Sequence, residues 1–105
     1  MIEKVIRDGK VAVLYSPGFG AGWSTWNYSN QEILLFSPKV VEMVEAGRRT
    51  EIDDEWCLEH LGIDIYTGGS SNLTIEWIQQ GEKFTIEEYD GSESIRSIDD
   101  LSITA

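Results

Sequence analysis

The segment from Ser16 to Asn30 concentrates the residue types that can hold a ligand. It contains two tryptophans, a phenylalanine, a tyrosine and three glycines, a composition that a polar connector does not need. Glycines permit positive φ and close backbone approach, and the flat faces of Trp23 and Trp26 suit stacking on a planar group. The segment therefore predicts a pocket for a small planar ligand, such as a nucleotide-like molecule, or for a partner's side chain.

The predicted pocket combines this loop with a second glycine-containing turn and two arginines. Trp23 and Trp26 would stack on the ligand, hydroxyl and amide side chains beside them would orient it, and an arginine would meet a phosphate. The turn is expected beside the loop if both lie at one end of a sheet. The predicted ligand-binding residues are Gly20, Gly22, Trp23, Ser24, Thr25, Trp26, Asn27, Arg48, Arg49, Tyr66, Thr67, Gly68 and Gly69.

Two other interpretations of the aromatic loop stay open at this point. Aromatic side chains in a compact loop commonly pack back onto the core. Exposed aromatics are also enriched at contacts between two copies of a chain, so a homodimer interface fits the same composition. Each glycine cluster taken alone is typical of a turn.

Established phosphate-binding motifs do not match the glycine run. Its glycines at positions 18, 20 and 22 lack the dinucleotide-binding spacing, follow a proline and precede no helix start. No Gly-Lys-Ser or Gly-Lys-Thr closes the run, which excludes a phosphate loop of the nucleotide-hydrolase type.

Residues for catalysis are few. Cys57 and His60 are the only thiol and the only imidazole, and as ligands they would leave a zinc site incomplete. Adjacent acidic residues diverge on helices and strands, which favours solvated faces or helix caps over a general acid and base. We therefore expect a non-enzymatic protein without metal or cofactor, and an enzyme acting through serine or carboxylates has the least support.

The charge balance points to a second functional class. The chain has eight basic and nineteen acidic residues, which gives a formal net charge of −11 and disfavours indiscriminate binding to nucleic acid. Carboxylates on such a surface would suit an acidic inhibitor, or a nucleic-acid mimic, that docks on a basic host protein. Charge that serves solubility alone explains the same balance.

The cysteine content and the hydropathy of the sequence limit the cellular compartments in which the protein is expected. A single cysteine excludes an internal disulfide, and no run of roughly 18 apolar residues predicts a membrane span. The first residues lack the apolar core of a signal peptide, so we expect a cytoplasmic protein.

The elements that position these residues are predicted from hydrophobic patterning. Lys10 to Tyr15 is apolar on both faces, as in a central strand, and a turn at Asp8-Gly9 pairs it with Glu3 to Arg7 in a hairpin. The short run Gln31 to Phe36 favours a strand. Ser37 and Pro38 begin a helix that runs to about Ala46.

A second helix and a meander are predicted for the remainder. Thr50 and Asp53 form a capping box for the helix, and Gly62 ends it. Two-residue turns at positions 80–81 and 90–91 pair the later strands, with Trp77 opposite Phe84 and Ile86 opposite Ile95. For Leu101 and Ile103 two interpretations stay open: they close the sheet, or they belong to a loosely packed tail.

The predicted architecture is one α+β domain spanning residues 1–105. A small antiparallel sheet, formed by the N-terminal hairpin and the C-terminal meander, carries two short consecutive helices on one face.

Nearly the whole chain resembles a family of small uncharacterised proteins of tailed bacteriophages and prophages. The resemblance rests on the glycine and tryptophan motif PGFGAGWSTWN at positions 17–27, on IYTGG at 65–69 and on YDGSES at 89–94. It implies the cytoplasm of an infected bacterium, where small phage proteins modulate host machinery or counter defence, and it supplies no catalytic residues.

Overall fold

The computed structural model describes residues 3–18, 22–67, 69–89, 92–97 and 103–105. Within them, two antiparallel three-stranded sheets combine with short helices, which confirms the predicted α+β class. The strands are β1 (Ile6–Arg7), β2 (Lys10–Tyr15), β3 (Thr74–Gln79), β4 (Lys83–Tyr89), β5 (Ser92–Ser97) and β6 (Ile103–Thr104). The α-helices are α1 (Gln31–Phe36), α2 (Pro38–Glu45) and α3 (Asp54–Leu61), and 3-10 turns span Ser24–Trp26, Tyr28–Asn30, Arg49–Glu51 and Ser70–Asn72.

Strand β2 separates two hydrophobic clusters. It lies between β1 and β3 in the first sheet, and its residues 11–14 are fully buried. Ala12 and Leu14 pack into the cluster formed with the helices, whereas Val11 and Val13 pack against residues of the second sheet. The predicted central strand, apolar on both faces, is therefore confirmed.

The predicted hairpin between β1 and β2 is also confirmed. Asp8 and Gly9 both have positive φ, at 53° and 76°, and Arg7 lies opposite Lys10. A two-residue turn with positive φ at both positions matches the right-handed twist of the strands that it joins.

The prediction of a strand at residues 31–36 is wrong. These residues form α1, because one turn of helix directs neighbouring apolar side chains into both clusters: Leu34 packs with the helices, and Leu35 and Phe36 pack with the second sheet. A short apolar run without alternation does not distinguish strand from helix.

Helix α2 begins and ends where the sequence predicts. The Ser37 hydroxyl accepts a hydrogen bond from Val40 N at 3.3 Å, and Pro38 occupies the first turn, where a missing N–H is tolerated. Gly47 follows the helix with a φ of 72°.

Helix α3 begins later than predicted. Thr50 lies in the 3-10 turn that precedes it, and Asp53, assigned to the capping box as the reciprocal residue, is itself the N-cap. The Asp53 carboxylate accepts from Trp56 N at 2.7 Å. A capping aspartate three residues after a threonine fits two registers, and the 3-10 turn selects the later one. Gly62 ends the helix in the left-handed conformation, as predicted.

The predicted pairing of β3 with β4 is wrong. Strand β3 instead fills the free edge of β2, with Trp77 opposite Ala12, and the chain then crosses to the second sheet. At the crossing, Gly81 has a φ of 89° and donates its N–H to Ala105 O at 2.7 Å rather than closing a hairpin. The single predicted sheet is thus divided into two.

The second sheet keeps the predicted register of its hairpin. Ile86 lies opposite Ile95, and Ile103 pairs with Phe84 to close the sheet on the other side of β4. The turn predicted at 90–91 and Leu101 lie outside the described residues. Among the residues that are described, no helix has the length and apolar character required to cross a bilayer.

Candidate functional site

A buried carboxylate organises the start of the aromatic loop. Glu93 is 1% exposed, and its Oε2 accepts from Trp23 N at 2.7 Å, from Thr25 N at 3.1 Å and from Thr25 Oγ1 at 2.5 Å. Its Oε1 accepts from Ser16 N at 2.9 Å, and Glu93 N donates to Ser16 O at 2.7 Å. Charge-assisted hydrogen bonds of this kind are stronger than neutral ones, so the side chain fastens the loop to the end of β2.

Gly22 permits this close approach. A Cβ atom at that position would lie 2.5 Å from Thr25 Oγ1, 2.7 Å from Trp26 Cδ1 and 3.0 Å from Glu93 Oε2. The glycine is therefore required by packing around the carboxylate, and not by contact with a ligand.

The prediction that Trp23 stacks on a ligand is wrong. Its side chain is fully buried in the helical cluster, and its indole Nε1 donates to Leu34 O at 2.8 Å. In a continuous helix that carbonyl would accept from the N–H four residues later, but position 38 is a proline and has none. Trp23 thus satisfies a carbonyl that the sequence itself leaves without its usual donor.

Two of the three predicted ligand-orienting side chains form hydrogen bonds within the protein. The Thr25 hydroxyl binds Glu93, and Asn27 Nδ2 donates to Trp23 O at 2.8 Å and to Tyr66 O at 2.9 Å. Tyr66 N returns a hydrogen bond to Asn27 Oδ1 at 2.9 Å. Ser24 is fully buried, and its hydroxyl has no hydrogen-bond partner among the described residues. Thr25 and Asn27 therefore hold the loop, which corrects the prediction that they orient a ligand.

The two predicted glycine-containing segments converge on an exposed pair of aromatic rings. The Trp26 and Tyr66 rings lie 5.7 Å apart between centroids with an interplanar angle of 16°, and the two residues are 43% and 52% exposed. We call these two side chains the ring pair. The double hydrogen bond from Asn27 to the Tyr66 backbone fixes their relative position.

Three polar contacts fasten the Tyr66 side of the ring pair to the fold. Thr67 donates its N–H and its hydroxyl to Asp54 Oδ1, at 2.9 and 2.6 Å. Gly69 O accepts from Ser16 Oγ at 2.9 Å. Both sides of the ring pair are thus fixed to regular elements, one to β2 and the other to α3. Gly20 and Gly68, also predicted as ligand-binding, lie outside the described residues.

The two predicted phosphate-binding arginines form hydrogen bonds with residues outside the ring pair. Arg48 forms a bidentate ion pair with Glu51, which raises the pKa of the guanidinium and lowers that of the carboxyl. Arg49 Nη1 donates to Leu73 O at 2.8 Å. Across the described part of the chain, no hydrogen bond or ring contact joins either arginine to the ring pair, so the expected phosphate contact has no geometric support.

Helix α3, to which Asp54 joins the Tyr66 side of the ring pair, begins with negatively charged residues. Asp53, Asp54 and Glu55 are exposed at the start of α3, and Asp54 contacts the residue that follows Tyr66. Burial, followed by the charges of Asp54 and Asp53, raises the pKa of the Cys57 thiol to about 11. No group of three or more possible metal ligands occurs within the described ranges.

Cys57 is expected to resist thiol reagents in the folded protein. The thiolate is the reactive form, and at about pH 8 a buried thiol with a pKa of about 11 is almost entirely protonated. A chromogenic disulfide reagent should label the protein fully in denaturant and negligibly without it. Rapid labelling of the native protein would contradict the burial of this side chain.

The same thiol predicts a loss of stability at alkaline pH. The unfolded chain releases the proton near pH 8.5, whereas the folded chain holds it until about pH 11. The Cys57 contribution to the free energy of unfolding is therefore full below about pH 8.5 and falls as the pH rises through this window. Urea titrations at increasing pH measure it, and a Cys57→Ser variant should lack this component.

No family model, no curated protein and no solved structure matches this chain.

Proposed function

We propose that this chain is a non-enzymatic binding protein that holds a planar group on the ring pair. The observation that carries the proposal is the stacked, half-exposed arrangement of Trp26 and Tyr66, whose backbones are joined through Asn27. Two large aromatic side chains left in water cost free energy unless a partner covers them, and rigid aromatics lose little entropy on binding.

The geometry favours binding on an outer face of the ring pair over insertion between the rings. Insertion of a planar group requires two contact distances of about 3.5 Å each, or about 7 Å between the rings. The centroids of Trp26 and Tyr66 are 5.7 Å apart. A planar ligand would therefore extend the existing stack, with Trp26 or Tyr66 as its terminal ring.

The planar moiety, rather than a phosphate, is the part of a nucleotide-like ligand that this surface supports. The arginines predicted for phosphate contact are bound to Glu51 and Leu73, and the Asp54 carboxylate of α3 binds the residue that follows Tyr66. A second candidate, an acidic inhibitor of a basic host protein, is favoured by these carboxylates together with the net charge of −11. We propose the cytoplasm of a phage-infected bacterium as the setting, on the strength of the sequence resemblance alone.

Trp26→Ala is expected to weaken binding of a planar ligand while the protein stays folded. Stacking on an aromatic ring is worth about 1–3 kcal/mol, so the affinity should fall about fivefold to 150-fold. Nucleosides, nucleotides, cyclic nucleotides and ADP-ribose would be screened by thermal shift, and hits titrated by tryptophan fluorescence and by NMR shifts of the Trp26 indole.

The matched control is Ile6→Ala, which truncates an exposed apolar side chain on β1, in the first sheet. It should leave any hit unchanged. A ligand that binds both Trp26→Ala and Tyr66→Ala as tightly as the parent protein would exclude the ring pair as its site.

A further inference from the structure

Hydrogen bonds join the Tyr66 segment to the start of α3. Thr67 directly follows Tyr66 and binds Asp54 through its N–H and its hydroxyl, so the carboxylate is held one residue along the chain from Tyr66. Both bonds end on Oδ1, and within the described residues Oδ2 of this exposed side chain has no hydrogen bond. This oxygen is therefore a candidate acceptor for a group that stacks on Tyr66.

The protein already contains one complete example of this combination. The Arg7 guanidinium lies over the Trp77 ring, 5.2 Å from its centroid, and binds the Glu45 carboxylate with two hydrogen bonds of 2.6 and 2.8 Å. An aromatic face and a carboxylate together satisfy both the plane and the edge of a guanidinium. The ring pair with Asp54 offers the same two components with no arginine of the described chain upon it.

Resting on the proposed function, we infer that the planar group is the guanidinium of an arginine in a basic partner protein. It stacks on the ring pair, and its N–H groups bind Asp54. The occupant is defined by charge complementarity: Asp53, Asp54 and Glu55 are all exposed here, in a chain with a net charge of −11. A lysine has the charge without the plane, and a nucleobase has the plane without the charge.

The decisive experiment compares three short glycine-spaced peptides that differ only in one residue type. One carries arginines, the second lysines, and the third citrulline, which keeps the shape of arginine but is uncharged. Binding is followed by NMR shifts of the Trp26 indole and the Tyr66 amide. We expect the arginine peptide to bind about twofold to fivefold more tightly than the lysine peptide. The citrulline peptide should bind more weakly than either.

Three variants test the geometry. Tyr66→Ala should remove the preference for arginine over lysine, and Asp54→Asn should weaken arginine binding while its remaining oxygen still accepts from Thr67. Ile6→Ala, on β1, should change neither. Raising the salt concentration should weaken binding of both cationic peptides to the parent protein.

The outcomes separate this inference from the function on which it rests. If nucleosides bind at the ring pair and the arginine peptide does not, the partner assignment is wrong and the proposed function stands. If neither binds, both fail. Equal affinity for the arginine and lysine peptides, or arginine binding that survives Tyr66→Ala, would also overturn the inference, because the carboxylates alone would then explain it.

Discussion

Glu93→Gln is expected to destabilise the protein by about 2–3 kcal/mol, although the new side chain has nearly the same shape. The carboxylate accepts from four donors, divided between its two oxygens. A glutamine amide has one oxygen and one NH₂, so whichever way it is oriented, its NH₂ group faces the N–H of Ser16 or the donors of Trp23 and Thr25. A buried donor left without an acceptor costs about 1–3 kcal/mol. Urea denaturation followed by tryptophan fluorescence gives the free energy of unfolding.

The control for this prediction is Glu87→Gln, the same chemical change on strand β4. Glu87 is half-exposed and pairs with Arg96 at the surface, where an ion pair contributes little to stability. The urea midpoint of the Glu87→Gln variant should stay close to that of the parent protein. Equal, small effects of the two substitutions would mean that Glu93 is not the buried acceptor that fastens the loop.

The position of Glu93 could have been found in the sequence. The register that places Ile86 opposite Ile95 was predicted and is confirmed, and side chains two residues apart on a strand lie on the same face. Glu93 therefore shares the inward face of Ile95. A glutamate there requires buried donors, and the glycine-containing loop supplies them. The segment around it is rich in glycine and serine, which is typical of turns, so its composition did not indicate a strand.

The fold was predictable where local signals were unambiguous. The apolar run of β2, the Asp8-Gly9 turn and the Ser37-Pro38 helix start each depend on a few neighbouring residues, and all three are confirmed. The partner of β3 was not predictable in this way. Both β2 and β4 offer apolar strands of similar length, and the choice depends on long-range contacts such as the bond from Gly81 to Ala105.

Composition alone also does not predict that one loop tryptophan is buried and the other exposed. Trp23 and Trp26 are three residues apart with similar neighbours, yet one is buried and the other is half-exposed. The deciding feature lies elsewhere in the chain. Helix α1 ends at Phe36 and Pro38 has no N–H, so the Leu34 carbonyl lacks its usual helical donor and accepts from the Trp23 indole instead. Burial of Trp23 in turn directs Trp26 outward, onto Tyr66.

Trp23→Ala is expected to cost about 3–5 kcal/mol, which approaches the whole stability of a small domain. The substitution empties the space of the largest fully buried side chain and removes the hydrogen bond to Leu34 O. Trp26→Ala makes the same chemical change three residues later, but the ring there is half-exposed, so the loss of stability should be much smaller. Thermal and urea unfolding of both variants provide the comparison.

Trp23→Phe separates the two contributions at this position. It retains most of the apolar volume and loses the indole N–H, so a destabilisation of about 1–3 kcal/mol is expected from the carbonyl left unpaired and the smaller ring. Urea unfolding of Trp23→Phe beside Trp23→Ala gives the two values. A Trp23→Phe variant as stable as the parent protein would mean that the tryptophan stabilises the loop by packing alone, because the hydrogen bond to Leu34 O would then contribute nothing.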